Sequence, residues 1–178
     1  MTKFGIDFGH GCPPDTGAVG VRKEEDLIKE MGDILVSNLK KLGHEAILCR
    51  PAKAGSVSSS LYQRCATANR NNVEVFVSLH FNAFNGQAHG CETYAISAAG
   101  RKIAAPVQSE LSKLGFYNRG VKTAGFYVLK HTAMPAILVE GAFCDSSRDM
   151  SLFDAQKMAD AITKGLVGSL PKDDCSCH

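Results

Sequence analysis

Short runs of β-branched and aromatic residues alternate along this chain with longer segments in which apolar residues recur every three or four positions. The short runs are typical of strands and the longer segments of amphipathic helices. Six strands are predicted, at about 3–7, 45–50, 73–79, 90–95, 126–130 and 136–140. A length of 178 residues suits one domain. We therefore expect a single-domain α/β fold, with a roughly six-stranded, mixed but mostly parallel sheet and helices on both faces.

Apolar stripes predict four helices, at about 27–42, 60–71, 100–114 and 154–170. Gly43 follows the first stripe, at a position where a left-handed helix cap favours glycine. Ser60 opens a capping-box pattern at the start of the second helix, and Pro171 is expected to end the last one. We expect residues 1–171 to form the domain and residues 172–178 to form a C-terminal tail.

The charge and the cysteine content exclude several classes of protein. Lys and Arg total 20 against 18 Asp and Glu, so the net charge of +2 gives no electrostatic reason to expect a nucleic acid or an anionic membrane as partner. No apolar run in the sequence approaches the roughly 18 residues that a membrane helix needs. Seven cysteines without a C-x-x-C pair favour free thiols in a reducing compartment over a disulfide framework.

The first residues of the sequence predict where the chain is made. Asp7 interrupts the first apolar residues and leaves no room for the apolar stretch of a secretory signal. We therefore expect a chain without a signal peptide that is made in the cytoplasm. A target outside the cell would be reached after lysis or by an export route other than the Sec system.

Polar side chains follow three of the predicted strands at the point where each strand ends. The first strand runs into His10, the third into His80 and the sixth into Glu140. Carboxyl ends of parallel strands are where open α/β sheets gather ligands, so we expect these three side chains to converge. Glu24 lies at the start of the first long helix, and the Gly- and Pro-rich loop before it is long enough to fold back beside them.

Two imidazoles and one carboxylate form a ligand set that zinc accepts, with a fourth position left for water in a catalytic site. A second carboxylate beside the ion can then take the proton of that water. Other interpretations remain open, because a histidine at a strand end can be a surface residue and Glu24 can be a first-turn glutamate favoured by the helix dipole. Glu140 is harder to explain structurally, since it follows the apolar run 136–139, where a carboxylate is costly unless it is paired or near a metal.

The remaining candidate ligands give weaker signals. His44, His89 and His131 lie in predicted turns or loops, where exposure to solvent explains them. Cys12 is close to His10 in sequence, and an apolar loop residue is the favoured interpretation over a metal ligand or a redox-sensitive thiol. The terminal Cys175, Cys177 and His178 have a spacing that could hold a soft metal, and we expect them to be inert.

Six blocks of the sequence, in this order, resemble those of a known family. They are IDFGHG at 6–11, DTGAVG at 15–20, KEED at 23–26, SLHFNA at 78–83, RGVK at 119–122 and PAILVEGAF at 135–143. The blocks span nearly the whole chain and resemble those of the zinc-dependent N-acetylmuramoyl-L-alanine amidases, the family of bacterial cell-separation amidases and phage lysins. The sequence departs from the usual family pattern at Phe8, where proline is usual, and at Cys12, where glycine is usual.

The resemblance implies a single α/β domain that binds Zn²⁺ and hydrolyses the amide between the lactyl group of N-acetylmuramic acid and L-alanine in peptidoglycan. The positions that it implies for function are His10, Glu24 and His80 as zinc ligands, Glu140 as the catalytic carboxylate, and Asn82 and Arg119 as substrate contacts. Peptidoglycan is then the expected partner of a monomeric enzyme. Only residues 83–89 separate the third ligand motif from the next predicted strand, so no blocking helix is inserted and the groove is expected to be open.

Two other kinds of function remain open at this point. A zinc peptidase or carboxypeptidase that acts on peptidoglycan stem peptides would use a similar ligand set, and analysis of the products separates it from an amidase. A non-catalytic cell-wall-binding protein could keep the same fold, although the presence of all four site residues argues against it.

Overall fold

The part of the chain that the computed structural model describes, residues 1–172, folds into six strands and six helices. The strands are β1 (Lys3–Phe8), β2 (Glu45–Leu48), β3 (Val75–Asn82), β4 (Cys91–Tyr94), β5 (Asn118–Lys122) and β6 (Ala136–Phe143). The helices are α1 (Glu24–Lys41), α2 (Val57–Arg70), α3 (Ala98–Ser112), α4 (Tyr127–His131), α5 (Ser147–Leu152) and α6 (Ala155–Val167). The expected tail lies outside the described residues except for Lys172.

All six strands form one sheet in the order β2-β1-β3-β6-β4-β5. Each neighbouring pair is parallel except β4 and β6, which are antiparallel. This arrangement confirms the mixed, mostly parallel sheet. Strands β1, β3 and β6 lie side by side at its centre, so their carboxyl-terminal parts, which carry the polar residues, meet at the same edge. Strands β3 and β6 run past their predicted ends, so His80 and Glu140 lie within them.

Helices cover both faces of the sheet, as predicted. Successive side chains of a strand point to opposite faces. On one face, residues such as Ile6, Val77 and Val139 pack with residues of α1, α3 and α6 in a single apolar core. On the other face, Phe76 and Leu138 pack with residues of α2 and α4. Complete burial of one such side chain stabilises the fold by about 1.5–3 kcal/mol, so these two cores hold the central strands rigidly between the helices.

One strand prediction is wrong, and one strand was missed. The segment predicted as a strand at 126–130 is the short helix α4, which buries Val128 and Leu129 against the face that α2 covers. The fifth strand is instead Asn118–Lys122, which pairs with β4 at the edge of the sheet. Its sequence, NRGVK, has low strand propensity. Pairing with β4, rather than the preference of its own residues, therefore decides its conformation.

The start of α2 also differs from the prediction. The helix begins at Val57, because the side chain of Ser56 accepts a hydrogen bond from the Ser59 backbone N–H at 3.0 Å. Ser60, the predicted cap, lies inside the helix and is fully buried. The short helix α5 was not predicted.

Glycines rather than proline end two of the helices. Gly43 follows α1 with a φ of 80°, which confirms the predicted left-handed residue there. The last helix ends at Gly168, also left-handed with a φ of 77°, and so stops before Pro171.

Five cysteines lie in the described part of the chain, and all are buried free thiols: Cys12, Cys49, Cys65, Cys91 and Cys144. Burial raises the pKa of most of these thiols, to about 12 for Cys49 and about 11 for Cys65, so they are unreactive apolar residues of the core. The other candidate ligands at the terminus, Cys175, Cys177 and His178, lie outside the described residues. Within residues 1–172, no helix has both the length and the hydropathy needed to cross a bilayer.

Candidate metal centre

His10, Glu24 and His80 come together at the carboxyl edge of the central strands. His10 follows β1, Glu24 is the first residue of α1, and His80 lies in β3. One ligand atom from each of the three lies within 4.8 Å of the others, and no other such group occurs among residues 1–172. His10 Nε2 is 3.5 Å and His80 Nδ1 is 3.2 Å from Glu24 Oε1.

These separations fit a metal ion. Two ligand atoms about 2.0–2.1 Å from a tetrahedrally coordinated ion lie roughly 3.3–3.4 Å apart, close to the two distances observed. The donor set of two imidazole nitrogens and one carboxylate oxygen also suits zinc. The residues present therefore fit the ion that the sequence predicts.

Glu24 is held in place by the backbone around it. Its side chain is almost fully buried and accepts hydrogen bonds from the N–H of Ala18 at 2.9 Å and of Phe81 at 3.1 Å. Burial raises the pKa of Glu24, but the hydrogen bond from His80 and the charge that the two histidines carry when protonated outweigh it, so the net pKa lies below its usual value. Glu24 is thus kept ionised, as a metal ligand must be.

Two glycines make room for the ligands. A Cβ atom at Gly9 would lie 2.3 Å from the ring of His80, and one at Gly17 would lie 2.9 Å from Glu24 Oε2. Both distances are too short for any side chain. The glycines in the two motifs around His10 and before Glu24 are therefore required by close packing against the ligands.

Glu140 lies beside the ligands without pairing to them. It is opposite His80 in the register of β3 and β6, and its Oε2 is buried and has no hydrogen-bond partner in the described chain. Burial raises the pKa of Glu140 to about 7; the charges of Glu24 and Glu92 add to the rise, and His80 opposes it. A buried carboxyl with a pKa near neutrality and an unpaired oxygen is suited to accept and return a proton.

The four residues line one cavity of about 380 Å³. Its polar lining residues include the ligands, Glu140 and Asn82. Its apolar lining residues come from α2, β6 and the start of α4 and include Val57, Leu61, Phe126, Val128 and Leu138. A few polar groups beside an apolar wall are typical of sites for organic substrates.

The structure separates the two predicted substrate contacts. Asn82 lines the cavity, and its Nδ2 donates to Glu92 Oε1 at 2.9 Å. Arg119 is not among the lining residues; its Nε donates to Glu92 Oε2 at 2.8 Å. Both predicted contacts are thus linked through Glu92, a buried residue of β4 that the sequence analysis did not identify. Lys122 donates to the same carboxylate.

The remaining histidines lie away from this group, as expected. His44 Nδ1 accepts a hydrogen bond from the backbone N–H of Thr2 at 3.1 Å. His89 and His131 bond to nearby carbonyl oxygens, those of Gln87 and Tyr127. Cys12 is buried in its loop and does not belong to the metal group.

Three charged residues beneath His10 were not identified from the sequence. Asp15 Oδ1 lies 2.9 Å from His10 Nδ1, and Arg64 forms buried ion pairs with Asp15 and Asp7. Asp7 gave a detectable signal, because it is a charged residue within an apolar strand. Arg64 gave none, since an arginine in a helix is most often exposed.

The fold and the site together define a class of protein. A histidine after β1, a histidine in β3 and a glutamate at the start of α1, with a carboxylate beside them that has an unpaired oxygen, are the components of a metal-dependent hydrolase. A family model described as N-acetylmuramoyl-L-alanine amidase matches residues 5–171. The chain therefore belongs to this family of peptidoglycan hydrolases.

Individual relatives agree with this assignment. YqiI of Bacillus subtilis (strain 168), an uncharacterised protein, is 35% identical over 171 residues, which are 90% of this chain and 81% of YqiI. The N-acetylmuramoyl-L-alanine amidase LytC of the same organism is 35% identical over 175 residues, or 91% of this chain and 34% of LytC. The catalytic domain of the CD27L endolysin, which targets Clostridia difficile, matches with a TM-score of 0.87 and 26% identity, over 94% of this chain and 98% of that domain. The chain thus spans most of YqiI but about a third of LytC.

Proposed function

We propose that this chain is a zinc-dependent N-acetylmuramoyl-L-alanine amidase, with His10, Glu24 and His80 as the zinc ligands. The observation that carries the proposal is the convergence of these three side chains beside Glu140, whose buried Oε2 has no partner in the described chain. The family and the distances among the ligand atoms support it, because a ligand set of this kind with a neighbouring carboxylate is suited to hydrolysis of an unactivated amide.

Bound at these ligands, zinc would supply a Lewis acid that polarises the lactyl carbonyl and lowers the pKa of water. Glu140 takes a proton from the attacking water and later returns it to the nitrogen of L-alanine as the C–N bond breaks. The products are a glycan with a free lactyl carboxylate and a stem peptide with a free amino group. Asp15 and the backbone N–H groups around Glu24 orient the ligands.

Two further residues are proposed as substrate contacts because of where they lie. Asn82 lines the same cavity as Glu140, where it can contact the polar atoms around the scissile amide. Arg119 lies outside the cavity lining, where its partly exposed guanidinium, paired with Glu92, is placed to contact a substrate carboxylate. We propose residues 1–171 as the catalytic unit and a monomer as its working form, since the described site is complete within one chain.

The two alternative functions account for the site less well. A purely cell-wall-binding protein gains nothing from a buried, unpaired carboxylate, which costs free energy of folding. A stem-peptide peptidase would need the same four residues, so only the cleaved bond separates it from an amidase.

Purified protein is expected to contain about one zinc ion per chain. Removal of the ion with a chelator should abolish the release of peptide from peptidoglycan, and added zinc should restore it, because a single set of three ligands is present in the described chain. Elemental analysis and a turbidity assay on cell walls measure the two quantities. Full activity in protein shown to be free of metal would contradict the proposal.

A further inference from the structure

Arg64 lies at the centre of a buried polar network beneath the metal ligands. Its side chain is 1% exposed, and each of its five N–H groups donates a hydrogen bond. The acceptors are Ser60 Oγ at 3.2 Å, Asp7 Oδ1 at 2.7 Å, the Phe8 carbonyl at 2.6 Å, the His10 carbonyl at 2.7 Å and Asp15 Oδ2 at 3.0 Å. A guanidinium is the one side-chain group that has five donors in a fixed plane. Arginine is therefore the residue that can make all five of these hydrogen bonds.

Two of these hydrogen bonds hold the backbone turn that contains His10. His10 has a φ of 56°, a left-handed conformation that non-glycine residues rarely adopt. Such a conformation persists only where the surroundings fix it. The bonds from Arg64 to the carbonyls of Phe8 and His10 span this turn and fix it directly.

Asp15 links this network to the imidazole ring. Its Oδ2 accepts from Arg64 and from Ser60 Oγ, the latter at 2.7 Å, which leaves Oδ1 to accept from His10 Nδ1 at 2.9 Å. With its proton held on Nδ1, the ring presents Nε2 as the lone-pair nitrogen. That nitrogen faces Glu24 Oε1 at 3.5 Å, toward the proposed ion.

We propose that Asp15 and Arg64 are positioning residues for the metal, Arg64 by fixing the turn at His10 and Asp15 by fixing the orientation and tautomer of its ring. The proposal rests on the proposed function, because it takes His10 as a zinc ligand. Neither residue belongs to the group of three metal ligands, and both border the cavity.

The network also places a net negative charge beside the ligand His10. Asp7 and Asp15 supply two carboxylates and Arg64 one cation, so the network has a net charge of −1 next to His10. Ser78 completes the network by donating to Asp7 Oδ2 at 2.8 Å. A carboxylate behind a ligating histidine makes the imidazole a stronger ligand, and loss of such a partner typically weakens metal affinity 10–100-fold. A buried ion pair adds little to folding stability compared with an apolar replacement, so stability alone does not explain the arrangement.

The test compares zinc dissociation constants, measured by competition with a chromophoric chelator, and the melting temperatures of the metal-free proteins. Asp15→Asn keeps the size of the side chain and removes its charge, and we expect it to bind zinc about 10–100-fold more weakly than the wild type. Arg64→Lys keeps the charge but has three donors in place of five, and we expect a loss in the same direction. Asp149→Asn is the matched control, because Asp149 is fully buried and accepts backbone N–H groups of Gly90 and Phe143 away from the ligands.

The control should lower the melting temperature without changing zinc affinity. If Asp15→Asn does not fold, Ser60→Ala replaces it, since it removes one donor to Asp15 and should weaken zinc binding roughly threefold or more. Folded Asp15→Asn or Ser60→Ala protein that binds zinc as tightly as the wild type would overturn the inference. Wild-type protein that binds no zinc would overturn the ligand set itself, and with it this inference, before any variant is compared.

Discussion

Glu140→Gln protein is expected to keep its zinc and to lose turnover by about 10²–10⁴-fold, the usual contribution of a general base. Glutamine has the shape of glutamate but has no basic oxygen, so the proton of the attacking water has no acceptor. Zinc stays bound because Glu140 is outside the group of three ligand residues. Initial rates on purified peptidoglycan, with metal content measured on the same sample, give both quantities.

The matched control for this prediction is Glu24→Gln. Glu24 contacts both histidines of the metal group, so its loss should weaken zinc binding first and activity as a consequence. If Glu140→Gln loses the metal and Glu24→Gln keeps it, the roles of the two carboxylates are reversed.

The pH profile provides a second readout for Glu140. Burial raises its pKa to about 7, so the ionised, basic form is lost as the pH falls through that value. A cation at the neighbouring ligands favours the ionised form and lowers this pKa. We therefore expect the wild-type kcat to fall on the acid side with a midpoint at or below about 7. The low residual activity of Glu140→Gln should lack this limb.

The second large effect is expected from the two ligand histidines. His10→Ala and His80→Ala should each lose roughly 10²-fold or more in zinc affinity, because removal of a ligand costs more than removal of the residue behind a ligand. Activity at limiting zinc should fall with it. Calorimetric titration with zinc measures the affinity, and circular dichroism shows whether each variant is folded.

His44→Ala and His89→Ala are the controls for this series. Both residues bond to local groups of the chain and lie outside the metal group. Equal loss of zinc in all four variants would mean that the strand ends do not form the site.

The position of the site was predictable because polar residues interrupt apolar strands. His10, His80 and Glu140 each follow or end such a run, and parallel pairing of the three strands brings their ends together. Glu24 was predictable for a different reason, since it lies at the start of a long amphipathic helix. These signals are local in sequence and depend little on the rest of the fold.

The parts that were not predicted depend on long-range contacts. Residues 126–130 have strand-forming side chains but form a helix, because Val128 and Leu129 pack on the face shared with α2. The edge strand Asn118–Lys122 exists because β4 offers it a partner. Arg64 in α2 bonds to Asp15, and Glu92 in β4 bonds to Asn82. A single sequence contains no signal that links these residues to the candidate site.

Mass spectrometry of peptidoglycan digested with the zinc-loaded protein shows directly which bond is cleaved. We predict free stem peptides that begin with L-alanine, together with glycan strands that keep an intact lactyl carboxylate. Fragments cut within the stem peptide would instead show a peptidase. Intact peptidoglycan after treatment with folded, zinc-loaded protein would show that the site is not catalytic, and either result would contradict the account.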